Sequence, residues 1–145
     1  MRLCTVGFTK KSAAAFFGLV RESGVDTLVD VRLRGDSQLA GFAKRDDLAY
    51  FLAEICGVAY VHRPDLAPTQ SMLDDYRKHG IDWPAYEERF LVLLRERRVE
   101  ETVPRDLLDN AILLCSEHEP DHCHRRLVAE YLASHWEDVQ IEHLV

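Results

Sequence analysis

With 145 residues, 47% of them hydrophobic and 30% charged, the chain has the length and composition of one globular domain. The formal charge of −7 argues against general binding to duplex nucleic acid, which needs a broad basic face. No apolar run approaches the ~20 residues of a membrane span, and residues 1–7 lack a signal-peptide core. We therefore expect a cytoplasmic protein without a membrane partner, whose four cysteines are thiols.

Strands and helices alternate along the sequence. Apolar runs rich in β-formers predict strands, and apolar positions at three- and four-residue spacing predict helices with one buried face. Strand, helix and strand within ~30 residues form a βαβ unit with a parallel strand pair. The predicted strands are residues 3–7, 27–31, 58–61, 111–115 and 139–145, and the predicted helices are 12–22, 46–56, 71–78, 83–98 and 121–135.

This pattern predicts one three-layer α/β domain over residues 1–145, with a mostly parallel sheet of about five strands flanked by helices. The segment 62–82 has little periodicity and is interrupted by Pro64, Pro68 and Gly80. A connection of this length inside a compact domain is more often functional than a plain link. We therefore predict a lid-like loop at 62–82.

Ionisable residues follow the apolar strands, at the edge where parallel strands end and α/β proteins bind ligands. Asp30 interrupts an apolar run and lies two residues before Arg32, so both side chains point to the same side. Asp30 either forms a buried ion pair or accepts backbone N–H bonds, or it orients Arg32 toward an anionic substrate. His62, at the end of the next strand, is a further candidate for substrate binding.

The stretch 111–126 is where chemistry is most expected. Cys115 ends a buried strand, and Arg125 lies in the first turn of the last helix, where an anion is favoured. That environment would stabilise the Cys115 thiolate as a nucleophile, although an inert buried thiol fits the same pattern. Glu117 is a candidate general acid or base, provided that burial raises its pKa. His124 lies on the apolar face of the helix and fits a core imidazole bonded to a carbonyl or a carboxylate.

A metal site is the alternative for the same stretch. Cys115, His118, His122 and Cys123 offer four soft or borderline ligands within nine residues, which suits zinc or iron. Their spacing is not that of a usual paired-knuckle zinc site. His62 or His124 could complete the set instead.

Five blocks of sequence resemble one known family, in the order that the family shows them. They are Thr5–Gly7, Leu28–Arg32, Tyr60–Leu66, Leu113–Glu117 and Cys123–Leu127. Together they resemble the domain of unknown function 488, and the resemblance implies a compact α/β fold in a bacterial or archaeal cytosolic protein but no activity. Two departures stand out: Phe8 and Thr9 occupy a place where members often have His-Ser, and Ala67-Pro68 replaces a common Gly-Gly.

Three hypotheses for function follow. The first is an enzyme, hydrolase- or transferase-like, acting on a small anionic, nucleotide-like substrate. In it Cys115, Glu117 and Asp30 are catalytic, and Arg32, Arg125 and His62 bind the substrate. The second is a metal- or ligand-binding accessory domain without turnover. The third is a catalytically lapsed family member, which the residue Phe8 favours.

Overall fold

The computed structural model describes residues 1–34, 41–117 and 120–145. Its strands are β1 (Arg2–Gly7), β2 (Thr27–Asp30), β3 (Ala59–His62), β4 (Ala111–Cys115) and β5 (Gln140–Leu144). All of the described pairings are parallel, and the sheet has the order β3-β2-β4-β1-β5. The helices are α1 (Ala13–Ser23), α2 (Arg45–Phe51), α3 (Gln70–Arg77), α4 (Trp83–Arg97), α5 (Val99–Thr102), α6 (Arg105–Leu108) and α7 (His124–His135).

Strand β4 lies at the centre of the sheet because its side chains are apolar on both faces. Leu113 and Cys115 belong to the core that α4 and α7 cover, whereas Ile112 and Leu114 belong to the core that α1 and α2 cover. Continuous burial of this kind is typical of a parallel strand with helices on both sides. The predicted three-layer α/β architecture is confirmed.

Helix α1 shows how local sequence sets an element's limits. The Ser12 hydroxyl accepts a hydrogen bond from the Ala15 N–H at 3.1 Å and caps the helix. Gly24 ends it in the left-handed conformation, with φ of 72°. Between them, Phe16, Phe17 and Val20 form the buried face.

Two predicted helices differ from the structure. The predicted helix 46–56 changes at Leu52 into a π-helical turn that ends at Cys56. The last helix begins at His124 rather than at 121, because residues before it form turns and the Cys123 N–H donates to the Pro120 carbonyl. Cys123, with extended backbone, therefore precedes the helix and lies beside the end of β4.

The segment 62–82 contains more regular structure than the sequence predicted. A 3₁₀ turn covers Pro64–Leu66, and α3 follows after a cap in which the Thr69 hydroxyl accepts from the Met72 N–H. Helix α3 packs against α4, where Arg89 pairs with Asp75 at 2.8 Å. Whether the segment closes over a ligand stays a prediction.

Within the described ranges, no helix has both the length and the apolar character that a membrane crossing requires.

Candidate active site at the end of β4

Gly7 allows the chain that leaves β4 to fold tightly against the end of β1. Gly7 pairs with Cys115 in the sheet, and a β-carbon on Gly7 would lie 1.5 Å from the Glu117 carbonyl oxygen. It would also lie 2.9 Å from Nη1 of Arg125, which donates a hydrogen bond to that carbonyl. A residue with a side chain cannot occupy this position without displacing the backbone. The geometry of residues 115–117 therefore depends on glycine at position 7.

Cys115 faces His124, and a hydrogen bond on the far side of the imidazole ring fixes the orientation of that ring. Its Sγ lies 3.4 Å from Nδ1 of His124, and Nε2 of that ring lies 2.6 Å from the Val31 carbonyl oxygen. Because a carbonyl only accepts, Nε2 carries the proton, and Nδ1 of the neutral ring is left as an acceptor facing the thiol. Phe90 packs edge-on against the imidazole at 5.6 Å. A thiol and an oriented base form the arrangement that nucleophilic catalysis requires.

The surroundings of Cys115 favour its thiolate. Burial by itself raises the pKa of this thiol. The hydrogen bond from Cys123 and the charge of Arg125 lower it, as do hydrogen bonds from the backbone at Glu117 and Ser116. The lowering is the larger effect, so the pKa of Cys115 lies below its usual value. The pKa of Cys123 is raised well above the usual value, by burial and then by its hydrogen bond to Cys115.

Asp30 and Arg32 form a buried, bidentate ion pair. Arg32 Nε lies 2.9 Å from Oδ1 of Asp30, and Nη2 lies 2.8 Å from Oδ2. The same carboxylate accepts the Arg32 backbone N–H at 3.0 Å and the Tyr60 hydroxyl at 2.6 Å. Burial lowers the pKa of Arg32 but the hydrogen bond and charge of Asp30 raise it more, so the guanidinium is firmly cationic.

One nitrogen of Arg32 is left over. Its Nη1 is buried and has no hydrogen-bond partner among the described residues. The whole side chain is only 4% exposed. The guanidinium carbon lies 5.4 Å from the centre of the Phe8 ring, which supports one face of the cation. The structure confirms the ion-pair interpretation of Asp30, whose carboxylate also accepts a backbone N–H. Whether the pair directs Arg32 toward an anionic substrate stays a prediction.

Cys115 and Arg32 line the same cleft, which has a volume of about 860 Å³. The remaining described lining comes from the chain after β1, β2 and β4, from α3 and the segment before it, and from the starts of α4 and α7. Its charged residues are Arg32, Arg34, Arg77, Lys78, Asp74 and Glu117, and its aromatic and imidazole rings are Tyr76, Trp83, Tyr86, His122 and His124. Among the described lining residues cations outnumber acids, in a chain of charge −7.

The other residues proposed for binding or proton transfer lie as follows. Glu117 lines the cleft but is exposed, so it lacks the burial on which its predicted role depended. Arg125 is fully buried and holds the Glu117 carbonyl. His62 is absent from the described lining of the cleft; its Nε2 lies 2.8 Å from the Arg32 carbonyl oxygen, so it supports the backbone of Arg32.

The structure groups the candidate metal ligands differently from the sequence prediction. In the described part of the chain, Cys115, Cys123 and His124 place their ligand atoms within 4.8 Å of one another. His122 is not in this group: it is exposed and stacks on Trp83, with ring centres 5.0 Å apart. His118 lies outside the described residues.

The sequence indicated His124 as a core imidazole or as an alternative metal ligand, but not as a base that faces the Cys115 thiol. The signal was its place on the apolar face beside Cys123, in the first turn after the loop from β4. That pattern left a carbonyl or a carboxylate as the partner of the imidazole, and the structure shows the Val31 carbonyl. The pattern did not reveal that the second ring nitrogen would face a thiol.

The protein is an α/β protein with a parallel sheet, and a buried thiol, an imidazole and a guanidinium lie together at the carboxyl edge of that sheet. Within that class, the family model "Domain of unknown function DUF488" matches residues 12–132, and the chain belongs to this family. Searches of curated proteins and of solved structures gave no match.

Proposed function

We propose that this protein is an enzyme in which Cys115 attacks a small anionic, nucleotide-like substrate bound in the cleft. The observation that carries the proposal is the 3.4 Å contact between Cys115 Sγ and the acceptor nitrogen of His124 at the floor of the cleft. The Val31 carbonyl fixes the tautomer of the ring, so the base is ready to take the thiol proton.

Nη1 of Arg32, which has no hydrogen-bond partner within the described ranges, supports an anionic substrate. Leaving a buried donor without a partner costs about 1–3 kcal/mol or more when the group is charged. A phosphate or carboxylate oxygen in the cleft would remove this cost through a charge-assisted hydrogen bond. The carboxylate of Asp30 accepts hydrogen bonds from Nε and Nη2 of Arg32. It therefore orients the guanidinium and does not compete for Nη1.

Aromatic residues support a ring-containing substrate. Trp83, Tyr76 and Tyr86 line the cleft and pack against one another, with centre-to-centre distances between 4.9 and 5.7 Å. Stacking on such side chains is a common way to bind a nucleobase whatever its identity. The cleft volume of about 860 Å³ lies within the range of small-molecule sites.

The chemistry takes place in two steps. Cys115 Sγ bonds to the electrophilic atom of the substrate, His124 accepts the thiol proton, and the bond to the leaving group breaks with its electron pair. The imidazolium then returns the proton to the leaving group. Water in a hydrolase, or a second substrate in a transferase, then displaces the sulfur. His124 takes the proton of the attacking group and returns it to the thiolate, which regenerates the thiol.

Alkylation with a charged and a neutral reagent tests this site directly. Iodoacetate and iodoacetamide deliver the same type of carbon to sulfur, but only iodoacetate carries a carboxylate for Arg32. We expect the iodoacetate-to-iodoacetamide rate ratio at Cys115 to exceed that at Cys56 by about tenfold, which corresponds to ~1.4 kcal/mol. Peptide mass mapping resolves the two cysteines.

Arg32→Lys keeps a positive charge beside Asp30 but removes the spare nitrogen, and should abolish the preference. Arg63→Lys is the matched control, because Arg63 forms a similar pair with Asp65 that is partly exposed. Adenosine 5′-monophosphate should protect Cys115 more strongly than inorganic phosphate or adenosine. Equal ratios at Cys115 and Cys56, together with no protection by the nucleotide, would refute the proposal.

The grouped ligands favour one second candidate, a metal-binding domain without turnover. Two thiols and one imidazole suit zinc or iron, and the Val31 carbonyl behind His124 is the kind of outer partner that metal-bound histidines have. Elemental analysis of untagged protein decides between the candidates. Near one metal per chain, lost in Cys115→Ser and Cys123→Ser but kept in Cys56→Ser, would favour the metal site. Metal-free protein with a reactive Cys115 favours the enzyme.

A further inference from the structure

Cys123 forms and breaks no bond in the proposed reaction, yet it lies beside the reacting sulfur. Its Sγ and that of Cys115 are within 4.8 Å of each other, and both residues line the cleft. Both are almost fully buried, at 2% and 4% exposed. Two thiols placed together at the floor of an accessible cleft are arranged for chemistry with each other.

The backbone around Cys123 leaves its side chain available. Cys123 immediately precedes α7 in an extended conformation, and its side chain makes no capping hydrogen bond with the helix. Its sulfur interacts instead with that of Cys115. A disulfide needs the two sulfurs to approach to about 2.05 Å.

We propose that Cys115 and Cys123 form a reversible redox pair, in which a hydroperoxide oxidises Cys115 and Cys123 resolves the product as a disulfide. The pairing rests on the position of the two sulfurs and does not depend on Cys115 being a catalytic nucleophile. Once the disulfide forms, Cys115 can neither attack a substrate nor ligate a metal. Oxidation therefore turns the site off, and a thiol reductant restores it.

Oxidation of the pair takes two steps. The Cys115 thiolate attacks one oxygen of the hydroperoxide, the O–O bond breaks, and the alkoxide or hydroxide leaves and is protonated, which leaves a sulfenic acid on Cys115. The Cys123 thiol then attacks that sulfur, the S–S bond forms, the S–O bond breaks, and the hydroxide leaves as water with the Cys123 proton. The two thiols together give two electrons to the hydroperoxide.

The other two cysteines lie elsewhere and serve as controls. Cys4 is buried in the core on the α1 side of the sheet, where its Sγ lies 4.0 Å from a Glu142 carboxylate oxygen. Cys56 packs on the same side, with its Sγ 3.6 Å from the Phe17 carbonyl oxygen. Cys115 and Cys123 belong to the core on the opposite side.

The test uses reduced full-length protein, treated with a chelator to remove metal and then with one equivalent of hydrogen peroxide. We expect the loss of two hydrogen atoms by intact-mass spectrometry, two of the four thiols lost in a thiol titration, and a peptide that links Cys115 to Cys123. Dithiothreitol should reverse all three. Cys56→Ser should still form the link.

Cys123→Ser removes the resolving thiol, so Cys115 should accumulate as sulfenic acid that dimedone traps, and should then be oxidised further. Cys115→Ser should keep all of its remaining thiols under the same treatment. The proposal fails if wild-type Cys115 is trapped by dimedone as readily as in Cys123→Ser, if links to Cys4 or Cys56 are as abundant, or if the folded protein loses no thiol. Alkylation by iodoacetate measures the proposed enzyme site separately, so either proposal can fail alone.

Discussion

Two Asp–Arg pairs with nearly the same geometry lie at the ends of the neighbouring strands β2 and β3. In the first pair, Arg32 donates two hydrogen bonds to Asp30, at 2.9 and 2.8 Å. In the second pair, Arg63 donates two hydrogen bonds to Asp65, at 3.0 and 2.8 Å. Each pair is separated by two residues in sequence. The first pair is 4% and 0% exposed, whereas the second is 25% and 36% exposed.

Burial gives the two pairs different consequences. Water completes the hydrogen bonds of a partly exposed pair, so such pairs contribute about 0–1 kcal/mol. In the buried pair Nη1 of Arg32 has no protein partner among the described residues. The same bidentate geometry is therefore a partly solvated surface ion pair at Asp65 and Arg63. At Asp30 and Arg32 it is a buried ion pair that leaves one guanidinium nitrogen able to bind a further acceptor.

The largest expected effect comes from removing the buried carboxylate. Asp30→Asn leaves the Arg32 guanidinium buried without a counter-charge, and we expect a loss of about 3–5 kcal/mol in the free energy of unfolding. Asp65→Asn, the matched change in the exposed pair, should cost less than about 1 kcal/mol. Urea denaturation of both variants measures the difference, and equal losses would show that burial does not separate the two pairs.

A double-mutant cycle sharpens the same comparison. Asp30→Asn combined with Arg32→Met removes both charges, so no isolated ion remains in the core. We expect the double variant to be at least about 2 kcal/mol more stable than the sum of the single losses predicts. The cycle at Asp65 and Arg63 should give a coupling below about 1 kcal/mol. Additive losses at the buried pair would contradict the ion pair seen in the structure.

Much of the fold could be predicted from the sequence because its signals are local. The apolar run 111–115, the cap at Ser12 and the stop at Gly24 each report on a few neighbouring residues. The start of α7 was placed too early, because the extended backbone of Cys123 and its bond to Pro120 leave no mark on helical periodicity.

The site could be predicted only in part, because its decisive contacts are long-range. The spacing of Asp30 and Arg32 indicated their pairing correctly, since a two-residue separation in an extended chain fixes the side. The contact between Cys115 and His124 depends on the insertion of β4 between β2 and β1, which brings the Val31 carbonyl behind the imidazole. Nη1 of Arg32 lacks a partner in the part of the chain that the structure describes, and no local sequence pattern encodes the lack of a contact.

Tyr60 provides an intermediate effect. Its hydroxyl donates to Asp30 at 2.6 Å. Burial, that hydrogen bond and the negative charge of Asp30 all raise the pKa of the phenol. Tyr60→Phe removes the donor from a buried carboxylate, so we expect a loss of about 1.5–3 kcal/mol in the free energy of unfolding. Tyr50→Phe, at a ring that is 63% exposed, is the control and should be nearly neutral. A neutral Tyr60→Phe would mean that Arg32 and the backbone satisfy Asp30 without it.

The smallest expected effect concerns salt and tests the exposed pair. Charges near water are screened over about 8–10 Å at physiological ionic strength, whereas buried pairs are screened much less. The contribution of Asp65, measured as the stability difference between wild type and Asp65→Asn, should fall toward zero between low salt and ~1 M sodium chloride. The contribution of Asp30, measured with Asp30→Asn, should change little over the same range. If both contributions fell together, water would reach the Asp30–Arg32 pair. The partnerless nitrogen would then be solvated, and the case for an anion bound there would be lost.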